Sequence, residues 1–229
     1  MRALVSLSGG MDSGTLLAHA IHDPDVTDVQ ATGFTYGSKH NPWENKAARK
    51  LCAYYGIANY DILDLTKVMG MFSGALMAKG GPVPEGHYEA SNMSQTVVPG
   101  RNLIFASILA GYAWETGCDA VYLGVHSGDH AIYPDCRPEF IQHLNLTVQE
   151  ATDGNVEVRA PFLELDKTEI LKLGYGYDNP VPYEMTRTCY TNGMVACGKC
   201  GACQERLEAF RNIGMEDPLP YLSREELPR

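Results

Sequence analysis

Two stretches of this chain hold residue types at spacings that could do chemistry. The first, Leu7-Ser8-Gly9-Gly10-Met11-Asp12-Ser13-Gly14, sets glycines and serines between an apolar run and a helical pattern. Glycines let backbone N–H groups approach an anion closely and a helix N-terminus adds partial positive charge, so phosphate is the natural guest. There is no G-x-x-x-x-G-K-[ST] lysine and no G-x-G-x-x-G, so neither the kinase-like nor the dinucleotide fingerprint fits. A plain strand-to-helix turn is the alternative. The second stretch is Cys189-x7-Cys197-x2-Cys200-x2-Cys203, with Gly193, Gly198 and Gly201 in the turns between. Four thiolates fill the zinc tetrahedron and leave no open position, which makes such a site structural. Free thiols or an iron–sulfur cluster are the alternatives, since C-x2-C-x2-C also occurs in ferredoxins.

These residues need a scaffold, and 229 residues provide one generous domain or a domain with an appendage. Arg2 to Leu7 reads as a strand, followed by the glycine turn and a helix carrying Leu16, Leu17 and Ala20. Val29 to Tyr36 is a second strand, Pro42 opens a helix with Trp43, Ala47, Leu51 and Tyr54 on one face, and Tyr60 to Leu65 is a third strand. From Lys67 to Val98 the periodicity fails among glycines and prolines, which marks a functional lid or a mobile segment. A helix over Asn102–Glu115, a strand over Ala120–Val125, a helix from Pro138 to Glu150, a strand over Val156–Pro161 and a short helix from Lys167 to Leu173 follow. Strands alternating with helices predict an α/β, parallel-sheet, Rossmann-like fold covered on both faces. The expected division is a nucleotide-binding part, 1–177, and an irregular cysteine-bearing appendage, 178–229.

At 45% hydrophobic and 20% charged residues the chain is a packed globular protein rather than a disordered one. Its longest apolar stretch, Leu103 to Trp114, is too short for a membrane span, and the N-terminal apolar run stops before a signal-peptide core is complete. The cytoplasm is the expected compartment, where clustered cysteines favour a metal over disulfides. A formal net charge of −10 argues against broad binding of nucleic acid, and no stable nucleic-acid partner is expected.

The first stretch resembles the S-G-G-x-D-S loop of the ATP pyrophosphatase (PP-loop) families. Three further blocks narrow the resemblance: Val98-Pro99-Gly100-Arg101-Asn102; Gly124-Val125-His126 with Asp129 and Tyr133-Pro134-Asp135-Cys136-Arg137-Pro138-Glu139-Phe140; and the four-cysteine tail. In that order, from about residue 4 to residue 211, they are similar to the 7-cyano-7-deazaguanine synthase (preQ0 synthase, QueC) family. The resemblance implies the adenine nucleotide alpha hydrolase fold, a small zinc-binding appendage, and the ligation of 7-carboxy-7-deazaguanine with ammonia to the 7-nitrile. It also implies an amide intermediate, two ATP consumed with release of AMP and pyrophosphate, and a homodimer.

Carried onto this sequence, the resemblance puts ATP at Ser8, Gly9, Gly10, Asp12 and Ser13, with Asp12 helping to hold Mg2+; an acidic residue at a helix N-terminus has a bland reading too. Arg101 would stabilise charge on the phosphates or the substrate carboxylate, and Lys167 would face pyrophosphate. Phe34, Tyr36 and Gly124 would lie beside the nucleotide if it sits at the carboxyl ends of the strands. Asp135 would read the guanine-like edge, with Arg137 near the ligand carboxylate, though Asp135 could instead cap the following helix. His126, Asp129 and Tyr133 would complete the substrate site, and Cys189, Cys197, Cys200 and Cys203 the zinc site.

Two positions depart from the family's pattern. Gly14 precedes Thr15 where threonines usually follow the loop serine, and the usual Tyr-Gly-Gln is Tyr36-Gly37-Ser38. An enzyme that stops at the 7-amide would keep every other motif; a PP-loop enzyme that modifies tRNA would keep the loop, and a zinc-stapled sensor that binds nucleotide without turnover is a third alternative. The chain shows no room for a glutaminase domain, so ammonia is expected to come free or from a partner.

Overall fold

The computed structural model describes residues 1–226; the last three residues of the expected appendage, 227–229, lie outside that range. Five strands form one parallel sheet: β1 (Arg2–Ser6), β2 (Asp28–Thr35), β3 (Tyr60–Asp64), β4 (Ala120–Tyr122) and β5 (Glu157–Arg159), in the order β3-β2-β1-β4-β5. The central strand is buried on both faces, which is why Ala3, Leu4 and Val5 run apolar without alternation. Its side chains still separate by face: Ala3 and Val5 join one core and Leu4 the other.

The first core is closed by α1 (Met11–His22), α2 (Asn41–Tyr55) and α6 (Lys167–Gly176), through Leu16, Leu17, Leu51 and Ile170. Opposite lie the short α3 (Thr66–Met69), α4 (Arg101–Thr116) and α5 (Pro138–Ala151), which bring Met69, Leu109 and Leu144 against Leu4 and Val121. The chain runs outward from β1 to β2 and β3, then crosses back to β4. The sheet therefore has its switch point between β1 and β4, where ligands of open α/β sheets bind beyond the carboxyl ends.

The aperiodic segment after β3 is built from α3, a 3₁₀ turn at Ser91–Thr96, and ties to its surroundings. Lys39 Nζ donates to Ala75 O at 2.6 Å, Gly86 N to Lys199 O at 3.0 Å, and His87 pairs with Glu208 at 2.9 Å. The C-terminal region holds an element that apolar periodicity did not reveal, α7 (Gly201–Asn212). Its inward face carries Gln204 and Arg206, buried by hydrogen bonding rather than by apolar packing, while Ala209 and Phe210 pack on Met11, Ala18 and Leu171. Among the described residues no helix is long and apolar enough to cross a membrane.

Candidate active site

Glycine and serine chemistry shapes the turn after β1. Gly9 adopts φ +88°, and a Cβ there would stand 2.4 Å from Glu44 O and 2.6 Å from Ala48 N, so only glycine allows α2 to close against the turn. The two serines organise the amides. Gly9 N donates to Ser13 Oγ at 3.1 Å, Gly10 N to Ser8 Oγ at 3.2 Å, and the two hydroxyls meet at 3.0 Å. From outside, Arg187 N donates to Gly9 O at 2.7 Å. No side chain caps α1, whose N-terminus opens on a cleft of about 210 Å³ at the switch point.

Most of the expected site residues line that one cleft: Ser8, Gly10, Asp12 and Ser13 from the turn; Phe34 at the end of β2 and Tyr36 just after it; Arg101 at the start of α4; Gly124, His126 and Asp129 after β4; and Tyr133 and Lys167. Gly9 sits behind it, as the hinge of the turn. Phe34 stacks on Phe105 with ring centres 4.1 Å apart, and Tyr36 packs edge-on against the same ring. Tyr133 is held by Thr96 Oγ1 at 2.7 Å.

Lys167 is the first residue of α6, where Asp166 and Glu169 form a reciprocal capping box that fixes the start of the helix at the lysine. Its Nζ lies 2.6 Å from Glu205 Oε2 and 3.3 Å from Asp12 Oδ2. Burial pulls the Lys167 ammonium down, but Asp12 and Glu205 outweigh it and hold the group well above the ordinary lysine value. The two carboxylates respond differently. Burial pushes Asp12 up, but Lys167 and then His126 outweigh it and leave Asp12 below its usual value. Burial also pushes Glu205 up, and there the attraction of Lys167 and His126 does not overcome it. His126, 2% exposed, places Nε2 at 3.5 Å from Asp129 and 3.8 Å from Asp12. Asp129 in turn accepts from Tyr88 Oη at 2.6 Å, so the long segment after β3 contributes a side chain to the site.

Asp135 and Arg137 do not line this cleft. Asp135 Oδ2 accepts from Asn102 N at 2.7 Å, so the carboxylate caps α4 across the fold rather than facing a base or starting α5. Arg137 is exposed and donates from Nε to His130 O at 3.0 Å. The signals that were missed lie in other segments: Glu205 on α7, Tyr88 in the aperiodic stretch, and Tyr190 and Phe105, none of which stands in a recognisable chemical spacing.

The four cysteine sulfurs lie within 4.8 Å of one another, with Cys189–Cys197 at 3.5 Å and Cys197–Cys203 at 3.9 Å. A tetrahedral zinc with Zn–S bonds of about 2.3 Å requires sulfurs about 3.8 Å apart, so the set fits that ion. Backbone N–H groups of Lys199 and Cys200 donate to Cys197 Sγ at 3.4 and 3.3 Å, which favours the thiolate a metal needs.

Comparison with known proteins agrees with this geometry. The family model described as Queuosine biosynthesis protein QueC matches residues 2–214. The chain is 43% identical over 224 residues to 7-cyano-7-deazaguanine synthase 1 of Colwellia psychrerythraea, covering 96% of this chain and 98% of that one. It is 44% identical over 220 residues to the 7-cyano-7-deazaguanine synthase of a Marinomonas species (96% and 98%) and 42% identical over 221 residues to that of Caldicellulosiruptor bescii (96% and 97%).

Proposed function

The chain belongs to the QueC family of queuosine biosynthesis proteins and is a ligase of 7-cyano-7-deazaguanine synthesis, and from this premise we propose that it uses ATP to turn 7-carboxy-7-deazaguanine and ammonia into the nitrile. The observation that carries the reading is the convergence of the uncapped α1 N-terminus, Arg101 and Lys167 on one cleft at the switch point.

The substrate carboxylate oxygen attacks the α-phosphorus of ATP and pyrophosphate leaves. Ammonia nitrogen then attacks the carboxyl carbon, and the C–O bond to AMP breaks to give the amide. The amide oxygen is adenylated by a second ATP, and loss of AMP with the two nitrogen protons gives the nitrile. In both activations charge builds on the departing pyrophosphate, where the first-turn amides of α1 and the Lys167 ammonium would act as fixed electrostatic partners. Arg101, always cationic, would hold the carboxylate or the α-phosphate. Asp12 is the residue to hold Mg2+, which would neutralise the triphosphate; its Oδ1 is buried with no hydrogen-bond partner, as suits a ligand oxygen. His126, Asp129 and Tyr133 would border the deazaguanine. With Asp135 committed to α4, the half-buried carboxylate of Glu44 is the better candidate for the guanine-like edge.

Cys189, Cys197, Cys200 and Cys203 would hold zinc, which supplies folding energy to the 178–229 part while 1–177 supplies the nucleotide-binding frame. The same reading has a cytoplasmic homodimer that takes ammonia free or from a partner and contacts no nucleic acid stably. A product arrested at the amide is the second reading, motivated by Gly14 and Ser38. Neither residue lines the cleft: Gly14 makes room for Leu51 and Thr186, and Ser38 N bonds Asn41 Oδ1 at 3.1 Å. Both positions therefore lie outside the cleft lining, which favours the full reaction.

The test is product mass with AMP counted per substrate consumed, using zinc-replete protein, 7-carboxy-7-deazaguanine, ATP, Mg2+ and ammonia. A nitrile with two AMP supports the proposal, accumulated amide with one AMP supports the second reading, and unchanged acid in an ATP-binding sample overturns both.

A further inference from the structure

One turn of α7 joins two sites. Cys203 lies in the sulfur cluster, Glu205 Oε2 accepts from Lys167 Nζ at 2.6 Å, and Arg206 is wholly buried. From these contacts we infer that Glu205 is a positioning residue for Lys167, and that the metal-anchored first turn of α7 is what presents it. The inference rests on the reading of Lys167 as a pyrophosphate ligand.

A lysine ammonium sits on a flexible four-carbon stem and has no preferred direction of its own. Here two carboxylates bracket it, Glu205 the closer. Were Asp12 to hold Mg2+, Glu205 would still be the carboxylate hydrogen-bonded to the ammonium, at 2.6 Å. Glu205 is itself confined. Its other oxygen, Oε1, lies 2.9 Å from where a Cβ on Gly128 would be, so the backbone after β4 walls it in. Behind it, Arg206 donates to Asp217 Oδ2 at 2.7 Å, Thr186 Oγ1 at 2.6 Å, Thr188 Oγ1 at 3.2 Å and Tyr183 O at 3.1 Å. Arg187, between those two threonines, holds Gly9 O in the phosphate turn. The turn that carries Cys203 therefore braces the cleft from two sides, at Lys167 and at Gly9.

A buried ion pair adds little net stability, because desolvation cancels much of the attraction, so its value lies in geometry. The test uses zinc-loaded Glu205→Ala, Glu205→Gln and Lys167→Ala proteins, with zinc content, affinity for α,β-methylene-ATP and steady-state AMP release as readouts. Glu205→Ala should keep one zinc per chain and the wild-type KM for the deazaguanine acid, bind the analogue more weakly, and lose about 10- to 100-fold in kcat, the scale of a misplaced catalytic group. Glu205→Gln keeps an acceptor oxygen without the charge and should fall between Glu205→Ala and wild type. Wild-type kcat in Glu205→Ala beside an impaired Lys167→Ala overturns the inference alone. Unimpaired Lys167→Ala overturns the reading of the lysine, and the inference with it. Loss of zinc from Glu205→Ala makes the role structural and also overturns it.

Discussion

Arg206 and Asp217 meet in a two-pronged ion pair with no solvent exposure on either side chain, Nε to Oδ2 at 2.7 Å and Nη2 to Oδ1 at 2.9 Å. The pair joins α7 to the chain beyond it, and Tyr221 and the Leu219 amide also donate to Asp217. Removing the carboxylate strands a buried guanidinium. Asp217→Ala is therefore expected to cost about 3–5 kcal/mol in denaturant unfolding of the zinc-loaded protein. Replacing both partners by apolar residues should not restore the loss fully, because the Thr186 and Thr188 hydroxyl oxygens would each lose the guanidinium donor they accept from.

The two glycines of the phosphate turn should behave differently. Gly9→Ala drives a methyl into the α2 backbone and incurs about 1–3 kcal/mol from the left-handed conformation alone. Gly10 has an ordinary φ of −72°, and a Cβ there meets nothing closer than Ser8 Oγ at 3.3 Å. Thermal unfolding of the two alanine variants should show a large drop for Gly9→Ala and a small one for Gly10→Ala; equal drops would contradict the packing of α2 against the turn.

Thiol labelling should report the metal. Cys52, Cys118 and Cys136 are buried, and burial pushes the Cys52 thiol up to about 11, so at pH 8 about a thousandth of it is thiolate. In the native zinc-loaded protein a maleimide should find almost no reactive cysteine, and a strong chelator should release four. Release of fewer than four, or labelling of the cluster before chelation, would argue against a four-sulfur site.

Asp135→Ala should remove the tertiary cap of α4 and lower stability by about 1 kcal/mol, the usual worth of an N-terminal cap. The KM for the deazaguanine acid should stay at its wild-type value. A raised KM with unchanged stability would return Asp135 to the role of base reader.

The strands and long helices were legible because burial on both faces writes itself as unbroken apolar runs, as at Ala3-Leu4-Val5, and because Pro42 and Pro138 mark helix starts. The Ser8–Ser13 turn and the cysteine spacing were legible because their chemistry is local in sequence. Glu205 was not, since its partner Lys167 is brought to it by the packing of α6 against α7. The partner of Asp135 was hidden for the same reason: it is the Asn102 amide, 33 residues away, which no local rule could supply. α7 escaped because two of its most buried side chains are Gln204 and Arg206, which satisfy themselves by hydrogen bonds and leave no apolar stripe.

The mutual hydrogen bonds of Ser8 and Ser13 with the Gly9 and Gly10 amides give the turn its shape from within. The entropy of ordering it is settled when the chain folds, so under the proposed reading a triphosphate would meet a turn already formed. Nucleotide association should then lack the slow phase of a loop that must organise around its guest, with discrimination among nucleotides residing in how quickly each one leaves.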